Sequence, residues 1–201
     1  MLPIVEDYFR DIYHTSYPSN IDQVVQLVEP KVTRAMNNIL LLRYTVEEVR
    51  TALFQMNPSK APGPDGINAF FFQKFWHIVS PDIIKVVLYF LNSGHILKSI
   101  NYTHLALISK TKSLDHMMQF RPISLCNVIY KNISKVLANR LKKVLHKVIA
   151  NSQSAFVPGH LITDNILLAF EALHYMKTKR RGKATHMAVK LDMSKAYDCV
   201  E

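Results

Sequence analysis

The amino-acid sequence predicts an α+β fold: a mostly helical first half, then a β-hairpin, long helices and one further β-strand. Three patterns predict it. Apolar residues recur at three- and four-residue spacing through the first half, as on one face of a helix. Two short β-prone runs, 104–110 and 121–125, flank a polar connector. Residues 186–192 alternate, with Met187, Val189 and Leu191 facing one way and Ala188, Lys190 and Asp192 the other. The chain divides accordingly into a helical N-terminal region over 1–56, a Pro/Gly loop with helices over 57–103, and a third part over 104–201.

Each element has a local cause. Ile4, Val5, Tyr8, Phe9, Ile12 and Tyr13 recur at helical spacing, and Pro18 and Pro30 interrupt the pieces that follow. Thr45-Val46-Glu47-Glu48 has the form of a capping box, opening a helix with Val46, Val49, Leu53 and Phe54 on one face. Residues 57–66, Asn-Pro-Ser-Lys-Ala-Pro-Gly-Pro-Asp-Gly, hold three prolines and two glycines, which makes a rigid, bent loop. An aromatic helix follows, with Phe70, Phe71, Phe72, Phe75 and Trp76. Ser80-Pro81 predicts a new helix start, with Ser80 as N-cap and Pro81 at the first helical position, and Gly94 predicts its end.

After the hairpin, residues 127–150 predict a long helix. Its apolar stripe is Ile129, Ile133, Val136, Leu137, Leu141, Val144, Leu145 and Val148. Its other face carries Lys131, Lys135, Arg140, Lys142, Lys143 and Lys147. A loop over 151–160 leads to a helix capped by Thr163 or Asp164 and running to about Lys177. Residues 177–183 form a basic turn before the strand at 186–192, and a further helix is expected to start at Ser194.

Composition narrows the function. The chain has 201 residues, 49% hydrophobic and 20% charged, which is ordinary globular usage. Its longest apolar runs fall far short of the roughly 20 residues of a membrane span, so no membrane partner is expected. Met1 to Asp7 has no basic segment and reads as no signal peptide. Two cysteines, Cys126 and Cys199, make neither a disulfide framework nor a zinc site, so a reducing, intracellular setting is expected. The net charge of +10 is one-sided. Residues 1–100 balance 9 Lys/Arg against 9 Asp/Glu, whereas residues 101–201 carry 16 against 6. Between His116 and Thr163 there are seven basic residues and no acidic one. Such an excess favours a polyanionic partner, most often nucleic acid; a solvated basic helix face is the plainer alternative.

Asp192 is the candidate for catalysis. A carboxylate at the end of an apolar strand, beside a strand-to-helix turn, can hold a divalent cation, and two-metal phosphoryl transfer needs several such carboxylates. Taken alone it is weak evidence for a metal site and reads more readily as a helix cap. Its neighbours add more. Lys190-Leu-Asp-Met-Ser-Lys-Ala-Tyr-Asp198 resembles the first catalytic motif of the palm of reverse transcriptases. The likeness is strongest to the non-long-terminal-repeat, LINE-type retrotransposon enzymes abundant in plant genomes. Upstream stretches resemble the same family in the same order: the loop 57–66, Leu107-Ile-Ser-Lys110, Phe120-Arg-Pro-Ile-Ser-Leu-Cys-Asn127, and 153–165 from Gln153 to Asn165. The resemblance covers about residues 20–201.

It implies a right-hand polymerase fold, of which this chain would hold the fingers and the first palm strand. It implies copying of an RNA template from a DNA primer with deoxynucleotides and magnesium, in the nucleus or cytoplasm. Asp192, with the backbone carbonyl of Met193, would grip the metal. Tyr197 would pack under the incoming sugar, and Asp198 would brace the turn. Arg121, with Lys110 or Lys112, would contact the nucleotide's triphosphate. Lys60, Gly63, Asp65 and Gly66 in the loop, with Gln153, Gly159 and His160 further on, would lie along the template and primer. Oligomeric state is left open by the resemblance.

The sequence departs from the family at Ser109, where proline is usual, and at His160 and Cys199, where arginine is usual. The family completes its metal site with an Asp-Asp turn, and no Asp-Asp pair occurs in these 201 residues. The chain is therefore expected to be a truncated polymerase, inactive alone. A non-catalytic nucleic-acid-binding remnant, or the functionless product of a decayed element, is the alternative.

Overall fold

The computed structural model describes residues 2–150, 152–154, 157, 159, 161–179 and 187–191. Helices dominate it. In chain order they are α1 (Leu2–Tyr13), α2 (Ile21–Gln26), α3 (Arg34–Leu40), α4 (Val46–Phe54), α5 (Ala69–Lys74), α6 (Trp76–Ser93) and α7 (Lys98–Asn101). The strands β1 (His104–Ser109) and β2 (Phe120–Leu125) come next, then α8 (Val128–Val148) and α9 (Ile162–Thr178). The chain forms two compact units, one of residues 32–144 and one of residues 1–31 with 145–201.

The larger unit contains the core. Thr45 opens α4 as expected: its hydroxyl accepts the Glu48 N–H at 3.3 Å, and Glu48 Oε2 accepts the Thr45 N–H at 2.9 Å. Val49 and Leu53 of α4 then pack with Ala69 and Phe72 of α5, Ile83 and Val87 of α6, and Val128 and Ile133 of α8. Polar side chains tie off helix ends and cross the core. Gln73 donates from Nε2 to the carbonyls of Leu53 and Met56, both at 2.9 Å, filling acceptors that the end of α4 leaves over. Asn132, fully buried on α8, donates to the Val49 carbonyl at 3.2 Å.

Four expectations change. First, no helix starts at Ser80. α6 runs through Pro81, which sits in its second turn. A proline there forfeits one hydrogen bond, to the His77 carbonyl, and the packing of Ile83 and Val87 keeps the helix continuous. Gly94 does end it, at φ +73°. Second, Thr163 and Asp164 lie inside α9 rather than before it. Asp164 still serves the helix start by accepting the Leu161 N–H at 2.9 Å. Third, Met187–Leu191 carry no strand, and Met187, Val189 and Leu191 are exposed. Alternation arranges side chains but supplies no hydrogen-bonding neighbour, and among the described residues β1 and β2 pair only with each other. Fourth, the buried line of α8 is Val128, Asn132, Ile133, Val136, Arg140 and Val144. Leu137 and Leu141 face out, and Arg140, expected on the solvated basic face, is 4% exposed.

Arg140 is buried because it gathers five acceptors. Nε and one terminal nitrogen bind Glu48 at 2.7 and 2.8 Å, a bidentate pair. The remaining N–H groups reach the carbonyls of Leu40 at 3.0 Å, Arg43 at 2.9 Å and Leu42. These are the acceptors just at and after the end of α3. The guanidinium also lies 3.6 Å from the centre of the Tyr44 ring. One arginine on α8 therefore fixes the α3–α4 connection.

This clamp makes a pH prediction. The Arg140 hydrogen bond, more than any other cause, holds the Glu48 carboxyl from its ordinary 4.5 down to about 2. A carboxyl lowered in the folded state stabilises above its unfolded value, and that contribution is lost as pH falls through the folded one. Stability should therefore decline between pH 4.5 and about 2, by on the order of 3 kcal/mol from this group. Urea unfolding across that window should show a steeper decline in the native protein than in Glu48→Gln. Parallel curves would remove the clamp from the account.

Candidate nucleotide and nucleic-acid interface

The hairpin carries the expected triphosphate contacts. β1 and β2 pair antiparallel, with Ile108 opposite Arg121 and Ser109 opposite Phe120. The ladder extends one step further, where the Lys110 N–H donates to the Gln119 carbonyl at 2.8 Å. Lys110 and Arg121 are thus diagonal neighbours on one face of the hairpin, a relation that spans roughly 7–8 Å in such pairs. The connector is held in shape. Gln119 Oε1 accepts the N–H groups of Asp115 at 2.7 Å and His116 at 3.2 Å, and the Lys110 ammonium donates to the Met118 carbonyl at 2.9 Å. Lys112 and Arg121 are exposed. Arg121 has no ion-pair partner among the described residues. At the base, the Thr103 hydroxyl donates to the Cys126 sulfur at 3.5 Å.

The Pro/Gly loop is anchored to the start of α8. Asn57 Oδ1 accepts the Ser59 N–H at 2.9 Å, and the Gly66 N–H closes a turn on the Gly63 carbonyl at 3.0 Å, with Gly66 at φ +70°. Asp65 Oδ1 accepts the Ile67 N–H at 3.1 Å. Gly63 lies against Asn127 so closely that a Cβ would stand 2.5 Å from its backbone nitrogen. Asn127, 7% exposed, accepts the Asp65 N–H at 3.4 Å and donates to the Ser99 carbonyl at 3.1 Å. The Lys131 ammonium reaches the Ala61 carbonyl at 3.1 Å. Gly63 and Asp65 thus have structural duties in this loop, while Lys60 is exposed.

The other expected site residues are distributed unevenly. Gln153 is exposed, with its N–H donating to the Ala150 carbonyl at 2.9 Å. Gly159 is exposed at φ +89°. His160, Asp192, Met193 and Tyr197, with Asp198 and Cys199, lie outside the described residues. Among the described residues there is no group of three or more His, Cys, Asp or Glu side chains able to hold a metal ion. No helix among them is long and apolar enough to cross a membrane.

The sequence reading missed Asn127 as a junction residue and Arg140 as a clamp. For Asn127 a signal was present: a loop as rigid as 57–66 needs a fixed surface to rest on, and a buried amide can satisfy backbone groups on both sides. For Arg140 there was none, because its acceptors come from residues 40–48.

Residues 108–201 match the family described as reverse transcriptase (RNA-dependent DNA polymerase). The uncharacterized 149 kDa protein of transposon TX1 from Xenopus laevis is 33% identical over 202 residues, covering 98% of this chain and 15% of that protein. The retrovirus-related Pol polyprotein of the type-2 retrotransposable element R2DM from Drosophila melanogaster is 25% identical over 97% of this chain and 17% of its own length. That of the type-1 element R2 from Popillia japonica is 27% identical over 77% and 20%. The chain thus spans about a sixth of the length of the first two.

Proposed function

Residues 108–201 belong to the reverse transcriptase family, in its non-long-terminal-repeat retrotransposon branch, and from that premise we propose what each part of this chain does. The chain supplies the fingers and the first palm carboxylate of an RNA-directed DNA polymerase with a right-hand fold. Its template is RNA, its primer DNA, and its substrates deoxynucleoside triphosphates. The reading is carried by one observation: the matched region opens on the hairpin where exposed Arg121 and Lys110 share a face.

The chemistry of the groups suits the task. Arginine grips a phosphate through two parallel N–H bonds, whereas lysine acts as a point charge. Arg121 binds the triphosphate, with Lys110 or Lys112 as the second contact. Tyr197 packs beneath the deoxyribose. Asp192 and the Met193 carbonyl are oxygen donors of the kind magnesium accepts. The metal, when bound, neutralises charge developing on the phosphates. Lys60, Gly63, Asp65, Gly66, Gln153, Gly159 and His160 follow the template and primer. Since these 201 residues hold no Asp-Asp pair, the second part of the metal site is not among them, and the chain by itself should extend no primer.

Equilibrium binding of a labelled deoxynucleoside triphosphate with magnesium tests the assignment. A charge-assisted hydrogen bond contributes about 1.5–3 kcal/mol. Arg121→Ala should therefore weaken binding by roughly tenfold or more, and Lys110→Ala by less. Ser124→Ala, further along the hairpin, should change nothing. Equal affinity in Arg121→Ala and the native chain would sink the hairpin as the triphosphate site.

A further inference from the structure

A second basic feature lies away from the hairpin. A cavity of about 250 Å³ opens between residues 55–61, α5 and the first turns of α8. Lys60, Lys131 and Lys135 line it with Gln55 and Asn57, over walls of Met56, Ala61, Ala69 and Val128. Three observations make this more than a patch of surface lysines. No acidic residue lines the cavity. Lys131 and Lys135 are one helical turn apart on α8 and both are half-buried, a like-charge pair that disfavours the helix unless an anion lies between them. The ammonium groups of Lys60 and Lys135 have no hydrogen-bond or ion-pair partner among the described residues, whereas that of Lys131 is steered by the Ala61 carbonyl at 3.1 Å.

We propose that this cavity is a phosphate-binding site, in which the ammonium groups of Lys60, Lys131 and Lys135 converge on one phosphate group. The volume admits a phosphate group with its waters. Apolar walls strengthen the field of the three charges inside. Lys131 keeps N–H donors to spare after its bond to Ala61, since an ammonium has three. The Gly63–Asn127 contact and the Gly66 turn hold the loop that carries Lys60, so the site is formed before the anion arrives. A phosphate can come from a nucleic-acid backbone or from free solution, and only the first source rests on the function proposed above.

The test is thermal unfolding of the full 201-residue chain in inorganic phosphate, against chloride at matched ionic strength. Phosphate should raise the unfolding midpoint by a few degrees, because it binds the folded chain alone. The rise should vanish in Lys60→Ala/Lys135→Ala and persist in Arg121→Ala. Competition with a short single-stranded RNA identifies the source. RNA that abolishes the phosphate effect assigns the site to a backbone phosphodiester; RNA without effect assigns it to a free anion. If the double variant fails to fold, backbone amide shifts of Lys60, Lys131 and Lys135 on phosphate addition give the same answer. Equal midpoints in phosphate and chloride, or a rise that survives the double substitution, would overturn the site. Loss of triphosphate binding in Arg121→Ala concerns the hairpin alone, so the two readings fail separately.

Discussion

Replacing Arg140 with alanine is expected to destabilise the chain by about 3–5 kcal/mol, the range found when one partner of a buried ion pair is removed. Two losses combine. Glu48 keeps its charge beside the core without its bidentate partner, and its side chain is only 26% exposed. The carbonyls of Leu40, Leu42 and Arg43 lose the donor that satisfied them after α3. Since single domains are stable by only about 5–15 kcal/mol, the variant should be largely unfolded under mild urea. Arg140→Lys separates charge from geometry. A lysine restores one bond to Glu48 but cannot fork to the carbonyls, so it should recover less than half of the loss. A cost below about 1 kcal/mol for Arg140→Ala would place the residue among ordinary surface pairs.

The second large effect is steric. In Gly63→Ala the new methyl would stand 2.5 Å from the backbone nitrogen and Oδ1 of Asn127 and 2.7 Å from its Cα. Two of those atoms are backbone at the head of α8, and they cannot turn aside as a side-chain end can. The loop must lift, which breaks the Asp65 and Lys131 contacts to their partners. The expected cost is about 1–3 kcal/mol, the overpacking range, with loss of both hydrogen bonds added. Gly66→Ala is the informative comparison. Nothing stands within 4 Å of a Cβ there, so only the left-handed backbone at φ +70° opposes it, at about 1–2 kcal/mol. Chemical denaturation of the two variants should rank Gly63→Ala as the worse, and Asn127→Ala should lessen its penalty only in part.

What the sequence could reveal divides along the distance between partners. The Thr45–Glu48 box, the Gly94 helix end and the hairpin were readable because cause and effect lie within a few residues. Pro81 has the local form of a helix start, but core packing outweighs its one lost hydrogen bond and the helix runs through it. Arg140 misled because a helical wheel sorts residues by hydrophobicity, and a guanidinium can be buried when enough acceptors surround it. Those acceptors lie almost a hundred residues away. The alternating run at 187–191 has side chains suited to a strand, but a strand also needs a partner, which no local pattern encodes. For the site, the motifs that resemble the family pointed to Arg121 and Lys110 on the expected hairpin, whereas their common face follows from the pairing register, which no motif encodes. The loop lysine Lys60 was found the same way, but its grouping with Lys131 and Lys135 depends on how the loop rests on α8.

The most direct test of the central claim, that the basic second half holds nucleic acid, is the salt dependence of RNA binding. The whole excess charge lies after residue 100. If about four lysines and arginines touch phosphates, the slope of log affinity against log salt should be roughly −3 on a single strand, from about −0.7 per contact. Affinity should be nearly independent of base sequence, since phosphate contacts position a chain without reading it. Fluorescence anisotropy with labelled RNA across a salt series gives the slope directly. Alanine at Arg121, Lys177, Lys179, Arg180, Arg181 and Lys183 should lower both affinity and slope. Binding that ignores salt, or that this variant leaves unchanged, would make the basic half a solvated surface and contradict the claim.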